Sequence, residues 1–309
     1  MVICRRFPGL WTVTEHRAQH HLQQAYLRGF SPHRFDADAK NYEKNQIGIY
    51  SKSEAVIRMG SIPKIAFRPY QYSFKKSDGT YSYTLEKGFA DLESKFSALL
   101  SRLGEIFHVA KTGGVAPSPV PEDHATLCEY IFIHIIRVPA ALNPVRKGIE
   151  EIGRAVEQDF GLPKNPDEDQ RWTVYALADL GAKFGPKAQE LLMRKIMRVE
   201  FFPRTKTSIV TCDNPVVRAG NAGGLVFPET QVFFPLDQRS FVRLHGSGTD
   251  WELQDQRDLS IAADFNLMMI GATQEEAYCS DPTHLQGLLR KQGIEATIVP
   301  PKFRDKALG

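Results

Sequence analysis

The longest periodic pattern of apolar residues lies in the middle of the chain and predicts helices. Apolar side chains recur at helical spacing from Leu85 to Phe107, which indicates a helix with one face in the core. The segment 122–138 is apolar nearly all round, so we expect it to be the central buried helix. The predicted helices are 84–107, 122–138, 144–159 and 167–200, and together they form a helical centre over 84–200.

Short runs of β-branched and aromatic residues on both sides of this centre predict strands. The turn sequence Ser77-Asp78-Gly79-Thr80 stands between two such runs and indicates a hairpin. The predicted strands are 62–67, 70–74, 81–83, 207–211, 231–236, 240–244 and 296–299, with two further helices near 256–270 and 283–292.

These patterns predict the α+β class, with a mostly helical centre on which short antiparallel strands from the 60–83 and 207–245 regions pack. We expect one globular domain over 1–309, in which 1–110 and 200–309 are mixed lobes around the centre. Neither an internal repeat nor a low-complexity tract contradicts this expectation.

Residues 19–30 concentrate histidines, amides and aromatic side chains in one short segment. Thr14 fits an N-cap and Gly29 fits a C-terminal stop, which predicts a helix that ends at Arg28. His20 and Gln24 then lie towards its polar side. Such residues either line a cleft or form hydrogen bonds within the core, and the pattern leaves both roles open.

Composition and charge restrict the class of protein. The net charge of +3 is small, so bulk electrostatics give no argument for a nucleic-acid or membrane surface. The four cysteines are far apart and form no CxxC pair, which argues against a zinc knuckle or a disulfide scaffold. The most apolar run covers only 131–136, far short of the roughly 20 residues of a membrane span. We therefore expect a cytoplasmic protein with no membrane partner.

Several ionisable residues fall at positions where they need a partner. Glu86 and Glu93 are seven residues apart on one side of a predicted helix, where carboxylates either hold a divalent cation or are simply solvated. Arg137 lies in the buried helix and should meet a carboxylate or an anionic ligand, because an uncompensated buried charge costs several kcal/mol. Asp213 and Asn214 follow a predicted strand, where they form either an ordinary turn or a functional group.

These residues also recur in a known order of motifs. The matching segments are Gln19-His20 with 24–30, 70–79, Leu85-Glu86 with Glu93, 132–139, and 208–216. In this order they resemble DUF4238, a bacterial family of unknown function, over about residues 19–270. The chain departs from the family at Gln23, where Pro is usual, at His21, where an aromatic is usual, and at Cys212, where Ser is commoner. A proline in the first helical turn would place His20 at or just before the helix N-terminus.

The polar residues that the resemblance selects suit phosphodiester chemistry. Carboxylates would hold Mg²⁺ or Mn²⁺, His20 would orient or deprotonate water, and Arg137 would bind phosphate. We therefore predict a metal-dependent nuclease or phosphohydrolase acting on nucleic acid or a nucleotide. The candidate residues are His20, Asp213 and Arg137 for catalysis, Gln24, Asn214 and Tyr26 for substrate binding, and Glu86 and Glu93 for the metal.

Two alternative functions use the same residues. They could form a buried polar network in a non-enzymatic partner-binding protein. They could also serve a transferase that uses a nucleotide such as NAD, with Arg137 on the pyrophosphate and Tyr26 or Tyr72 stacked on a base. The positions of His20, Arg137 and Asp213 in the fold, and their exposure, distinguish these functions.

Overall fold

The computed structural model describes residues 18–34, 36, 38–111, 120–161, 163, 165–202, 208–220 and 224–300. The predicted N-cap Thr14, Cys4 and most of the loop over 112–121 lie outside these residues. In the described part the helices are α1 (Gln24–Arg28), α2 (Asn41–Lys44), α3 (Thr84–Lys111), α4 (Pro121–Arg137), α5 (Pro139–Phe160), α6 (Pro166–Met193), α7 (Leu259–Ala272) and α8 (Pro282–Lys291).

The strands are short and are spread along the whole described chain. They are β1 (Ala18–His20), β2 (Gln46–Ser51), β3 (Val56–Ser61), β4 (Phe67–Pro69), β5 (Phe74–Lys75), β6 (Tyr81–Ser82), β7 (Ile196–Phe201), β8 (Thr211–Cys212), β9 (Val217–Ala219), β10 (Gln231–Asp237), β11 (Ser240–His245), β12 (Trp251–Asp255), β13 (Glu276–Cys279) and β14 (Thr297–Ile298).

Two five-stranded sheets contain most of these strands. The first has the order β12-β7-β11-β10-β9 and the second the order β14-β3-β2-β13-β8. Pairing is antiparallel except at one edge of each sheet, where β12 runs parallel to β7 and β14 runs parallel to β3. Two small antiparallel pairs, β1 with β4 and β5 with β6, complete the strand pairing of the described residues.

Helix α4 is the central buried helix, as its apolar pattern predicts. It packs against α3, α5 and α6, and its buried face includes Leu127, Tyr130, Ile131 and Phe132. The ring of Tyr130 stacks on that of Phe96 from α3, with a centroid distance of 3.5 Å. The predicted α+β class with a helical centre is confirmed.

The short helix α1 joins the helical layer to both sheets. It contacts β10 of the first sheet and β2 of the second. Leu27 and Phe30 are fully buried in the same apolar core. The helix begins at Gln24 rather than near Thr14, and the chain before it forms strand β1. His20 therefore precedes the helix, as the family resemblance implies, and the prediction of a helix through His20 is wrong.

The predicted strands and helix ends need several corrections. The hairpins β5–β6 and β10–β11 are confirmed. The segment 62–67 begins with a 3-10 turn over Ile62–Lys64 and pairs only from Phe67, and 70–73 is a turn in which Tyr70 has φ +53°. Residues 196–200 belong to β7 and not to a helix, because they pair with β11 and β12. The first sheet thus extends beyond the 207–245 region, and the second includes 46–61 and 276–298.

Among the described residues no single helix is both long and apolar enough to cross a membrane, although α4 and α5, bent by 43°, meet these criteria as a pair.

Candidate functional site

Arg137 is the centre of a buried polar cluster at the end of α4. Its side chain is 1% exposed, and each guanidinium nitrogen donates a hydrogen bond. Nη1 donates to the carboxylate of Glu93 at 2.8 Å, Nη2 to the carbonyl of His20 at 2.6 Å and Nε to the carbonyl of His21 at 3.0 Å. The expectation that Arg137 meets a carboxylate is confirmed, and the partner lies on α3.

Aromatic rings enclose this guanidinium group. The Arg137 Cζ lies 5.0 Å from the ring centroid of Phe89 and 5.7 Å from that of Tyr72, distances at which a cation is attracted to a ring face. The hydroxyl of Tyr72 donates to the Arg137 carbonyl at 2.9 Å. This bond satisfies one of the carbonyls that the end of a helix leaves without an intrahelical donor. Both ends of the residue are therefore bound within the protein.

His20 is held by its backbone and by its ring. Strand β1 pairs with β4, which places His20 opposite Phe67. The Nδ1–H of His20 donates to the carbonyl of Ile65 at 3.0 Å, so Nε2 is free to accept from the Gln24 amide at 2.9 Å. Burial lowers the pKa of His20 to about 4, so the imidazole is uncharged at neutral pH. Arg137 thus contacts the carbonyl of His20, whereas the ring of His20 is held by Ile65 and Gln24.

His21 differs sharply from its neighbour. Its side chain is 4% exposed, and both ring nitrogens are buried without a hydrogen-bond partner among the described residues. Burial and the positive charge of Arg137 lower the pKa of His21 to about 3. A buried polar atom without a partner is unfavourable, so this position fits an apolar ring better than an imidazole.

The two candidate metal carboxylates lie on α3 beside Arg137 but in different states. Glu93 is ion-paired with Arg137 and half-buried. Burial raises the pKa of Glu86 to about 7, with Arg137 opposing the shift and Glu93 adding to it. In the described part of the chain, no three His, Cys, Asp or Glu side chains converge as a metal site would require. A metal role for Glu86 and Glu93 therefore stays a prediction.

Asp213 and Asn214 follow β8 in the second sheet. Asp213 is 2% exposed and its carboxylate accepts the backbone N–H groups of Gln274 at 2.9 Å and Glu275 at 2.6 Å. Its partners therefore precede β13 and do not belong to its own turn, as an Asx-turn would require. The backbone carbonyl of Asn214 accepts the thiol of Cys212 at 3.2 Å. Burial raises the pKa of Asp213 to about 6, although these N–H groups oppose the shift.

Tyr26 lies in the core, where it has no exposed surface. Its hydroxyl hydrogen-bonds to that of Thr211 on β8 at 2.7 Å, and its ring stacks on Phe234 of β10 at 5.4 Å. The same ring contacts Phe96 of α3 and His134 of α4. Tyr72 is equally buried. The expectation that either tyrosine stacks on a substrate base is not supported, because neither ring presents a free face.

The structure therefore brings only some of the candidate residues together. His20, Gln24, Glu86, Glu93 and Arg137 form one cluster between β1, α3 and the end of α4. Asp213 and Asn214 lie in the second sheet, and Tyr26 spans the interior between them and α4. An ion pair between Arg68 of β4 and Glu275 connects the two regions, since Arg68 pairs with Gln19 in β1.

Gln23 forms hydrogen bonds beside this cluster, although the sequence patterns did not select it. Its amide donates to the carbonyl of Glu93 at 3.1 Å and to the hydroxyl of Ser97 at 3.0 Å, and it accepts the hydroxyl of Tyr130 at 3.1 Å. It connects α1 to α3 and α4 at the position where the family usually has proline. The departure from the family pattern was the signal that could have identified it.

A family model described as a protein of unknown function (DUF4238) matches residues 18–278. No curated protein and no solved structure is significantly similar to the chain.

Proposed function

Since the chain belongs to the DUF4238 family, whose description names no activity, we propose from the geometry that it is a partner-binding protein whose polar cluster is structural. The contacts of Arg137 support the structural role. Its three guanidinium nitrogens are already bonded to Glu93, His20 and His21, and binding a phosphate there would require breaking buried hydrogen bonds.

The observation that carries the proposal is an exposed apolar groove between α5 and α6. Apolar residues recur along α5 at helical spacing, and Ile152 is 66% exposed and Val156 37% exposed. On α6 the facing Trp172 is 60% exposed. Contiguous exposed apolar side chains of this size commonly mark an interaction surface. The groove contains a cavity of about 490 Å³ lined by Ile149, Ile152, Trp172, Tyr175, Ala176 and Asp179.

Charge indicates the chemistry of the partner. A second cavity of about 220 Å³ continues the groove and includes Val156, Glu168 and Asp169. Among the described residues that line the two cavities, every charged one is acidic. An apolar floor with acidic edges complements an amphipathic helix that has Lys or Arg beside its apolar face. A second copy of the chain fits less well, because two acidic grooves would face each other.

The test uses the full chain and two synthetic amphipathic helices, one of Leu and Lys and one of Leu and Glu with the same length. We expect calorimetric titration to detect binding of the Leu–Lys peptide that weakens as salt is raised. Ile152→Asp should weaken this binding at least tenfold and Glu168→Lys should weaken it severalfold. Tyr42→Asp is the matched control, since Tyr42 is 62% exposed on α2 and does not line the groove.

Three results would contradict the proposal. Equal binding of both peptides would show that charge does not select the partner. An unchanged affinity for Ile152→Asp would remove the groove as the binding surface. Self-association of the wild type that Ile152→Asp abolishes would make a second copy the occupant.

The environment of Glu86 supports a hydrolase as a second candidate function. Glu86 is a half-buried carboxyl with a pKa of about 7, which suits proton transfer near neutral pH. If it acts with Mg²⁺ or Mn²⁺, the chain should cleave bis(p-nitrophenyl) phosphate, and Glu86→Gln or His20→Ala should each remove that activity. Glu105→Gln, an exposed position on the same helix, is the control. Full activity in Glu86→Gln would eliminate this candidate.

A further inference from the structure

A cavity of about 680 Å³ lies between the start of α4, the end of α6 and strand β12, outside the groove and the Arg137 cluster. Its lining is mostly apolar with a few polar groups, the character of a small-molecule pocket, and its volume falls in the range of such pockets. The lining residues are Pro121, His124, Met193, Thr249, Asp250, Trp251 and Leu253.

Two buried nitrogens in this lining have no hydrogen-bond partner among the described residues. They are Nε2 of His124 and Nε1 of Trp251. His124 is 4% exposed, and its ring packs edge-on against Trp251 with a centroid distance of 5.8 Å. The indole N–H can only donate, whereas an uncharged imidazole nitrogen donates or accepts according to its tautomer. A ligand with adjacent acceptor and donor atoms would satisfy both.

A second cavity of about 410 Å³ adjoins the first, because Thr249 lines both. Its lining includes the cations Arg194 and Lys195 and the loop residues 246–249. The loop is tied to the end of α6 by a hydrogen bond from the Gly248 N–H to the Arg194 carbonyl, at 2.8 Å. A Cβ at Gly248 would lie 2.8 Å from Cγ1 of Ile196. Glycine therefore lets the loop backbone approach the Ile196 side chain at the start of β7 closely.

We propose that the two cavities form one nucleotide-binding site, with the base against His124 and Trp251 and the phosphate beside Arg194. A heteroaromatic base has a flat apolar face, which suits the apolar lining residues Met193 and Leu253, and an edge with adjacent donors and acceptors, which matches the two unpartnered nitrogens. Asp250 lines the cavity for the uncharged base and can accept an exocyclic amino group, while Arg194 lines the cavity for the phosphate. Arg194 pairs with the exposed Glu190 and can exchange that partner for a phosphate.

The site is tested by calorimetric titration of the full chain with AMP, GMP, CMP and UMP. We expect at least one nucleotide to bind and to raise the melting temperature, since it binds the native state alone. Trp251→Phe keeps a ring but removes the N–H donor, so affinity should fall about tenfold, the effect of one hydrogen bond. Tyr42→Phe, at an exposed position on α2 that lines neither cavity, should bind as the wild type does.

A comparison of nucleotide and nucleoside isolates the phosphate contact. In the wild type the mononucleotide should bind at least tenfold more tightly than its nucleoside, and in Arg194→Ala this ratio should fall towards one. Circular dichroism of each variant verifies that it is folded. If no mononucleotide binds, the proposal is overturned. It is also overturned if ribose 5-phosphate binds as well as the nucleotide and Trp251→Phe has no effect, since the site would then recognise the anion alone.

Discussion

Arg137 shows how one buried charge organises its surroundings. It is neutralised by one carboxylate from α3 and bound by two carbonyls, one from the last residue of β1 and one from the residue after it. Removing one partner of a buried ion pair is more costly than never having the pair, because the remaining charge stays buried. The cluster therefore connects three segments far apart in sequence and penalises any arrangement that separates them.

Substituting this side chain should destabilise the fold strongly. Arg137→Met leaves Glu93 without its cation and two carbonyls without donors, so we expect the free energy of unfolding to fall by about 3–5 kcal/mol. Urea denaturation followed by circular dichroism measures this change. Arg154→Met, at an exposed position on α5, should change the free energy by less than about 0.5 kcal/mol. A loss below 1 kcal/mol for Arg137→Met, on the order of a surface change, would contradict the structural role.

His21 should give the opposite result. His21→Phe removes two buried nitrogens without partners and restores the aromatic that the family resemblance associates with this position. We expect the free energy of unfolding at pH 7 to rise by about 1–2 kcal/mol. His20→Phe is the matched comparison and should be destabilising, because the His20 ring bonds to Ile65 and Gln24. Destabilisation by His21→Phe, measured in urea, would show that this pocket requires an imidazole.

The same histidines contribute to the dependence of stability on pH. The unfolded chain protonates a histidine near pH 6.5, whereas the folded pKa values of His20 and His21 are lowered to about 4 and about 3. Below pH 6.5 the unfolded state therefore binds protons that the folded state does not. Stability should fall by roughly 1.4 kcal/mol per pH unit for each such histidine as pH decreases towards these values. Urea denaturation at about pH 7, 6 and 5 measures this change. The free energy of unfolding should depend less steeply on pH in His21→Phe than in the wild type.

At the scale of elements, α1 depends on a glycine for steric reasons. A Cβ at Gly29 would lie 3.0 Å from the Tyr26 carbonyl oxygen and 3.1 Å from Cβ of Asp237, so Gly29→Ala should destabilise the fold by about 1–3 kcal/mol. Gly88 lies in α3 and a Cβ there meets no atom within 4 Å. Gly88→Ala should therefore stabilise by about 0.5–1 kcal/mol through helix propensity. Thermal melts of both variants test the pair, and changes of equal sign would contradict the packing of α1.

Helix α5 is the long helix with the least support from the core. Its buried residues are Pro139 and Leu142, near its start, whereas α4 buries residues along its whole length. Local opening requires less free energy where few apolar contacts are lost. We expect the amides of α5 after Leu142 to exchange hydrogen faster than those of α4, as measured by mass spectrometry. The Leu–Lys peptide should slow this exchange in α5, and equal protection of both helices in the free protein would contradict the expectation.

At the scale of the molecule, one apolar core contains residues of both five-stranded sheets together with α1, α3 and α4. Tyr50 of β2, Phe234 of β10 and Tyr26 of α1 belong to it. Elements that share a core lose their contacts together, so the predicted single domain should unfold in one calorimetric transition whose calorimetric and van't Hoff enthalpies agree. Two separate transitions would indicate that the sheets belong to independent domains.

Local patterns predicted those elements whose stability is decided by neighbours along the chain. Helices α3 and α4 follow from apolar side chains at helical spacing, and the β10–β11 hairpin follows from two strands on either side of a short turn. The pattern predicts a helix at β7 because the β character of this strand depends on β11 and β12, whose paired residues lie 39 or more positions later. The prediction of a strand beginning at Tyr70 is wrong for a different reason, because a positive φ at Tyr70 turns the chain.

The amino-acid sequence alone establishes that Arg137 needs a partner, because a charge inside an apolar helix cannot remain uncompensated. It also determined, through its resemblance to the family, that His20 precedes a helix. The identity of the partners depends on the tertiary structure, which brings Glu93 and the carbonyls of His20 and His21 to Arg137. It also places the hydrogen bonds of Tyr26 and Asp213 within the core. The tertiary structure likewise shows that the apolar stripe of α5 is exposed. It also shows that two buried nitrogens, of His124 and Trp251, have no partner among the described residues. Side-chain chemistry is a local property, whereas exposure and the choice of partner depend on distances between segments that no local pattern encodes.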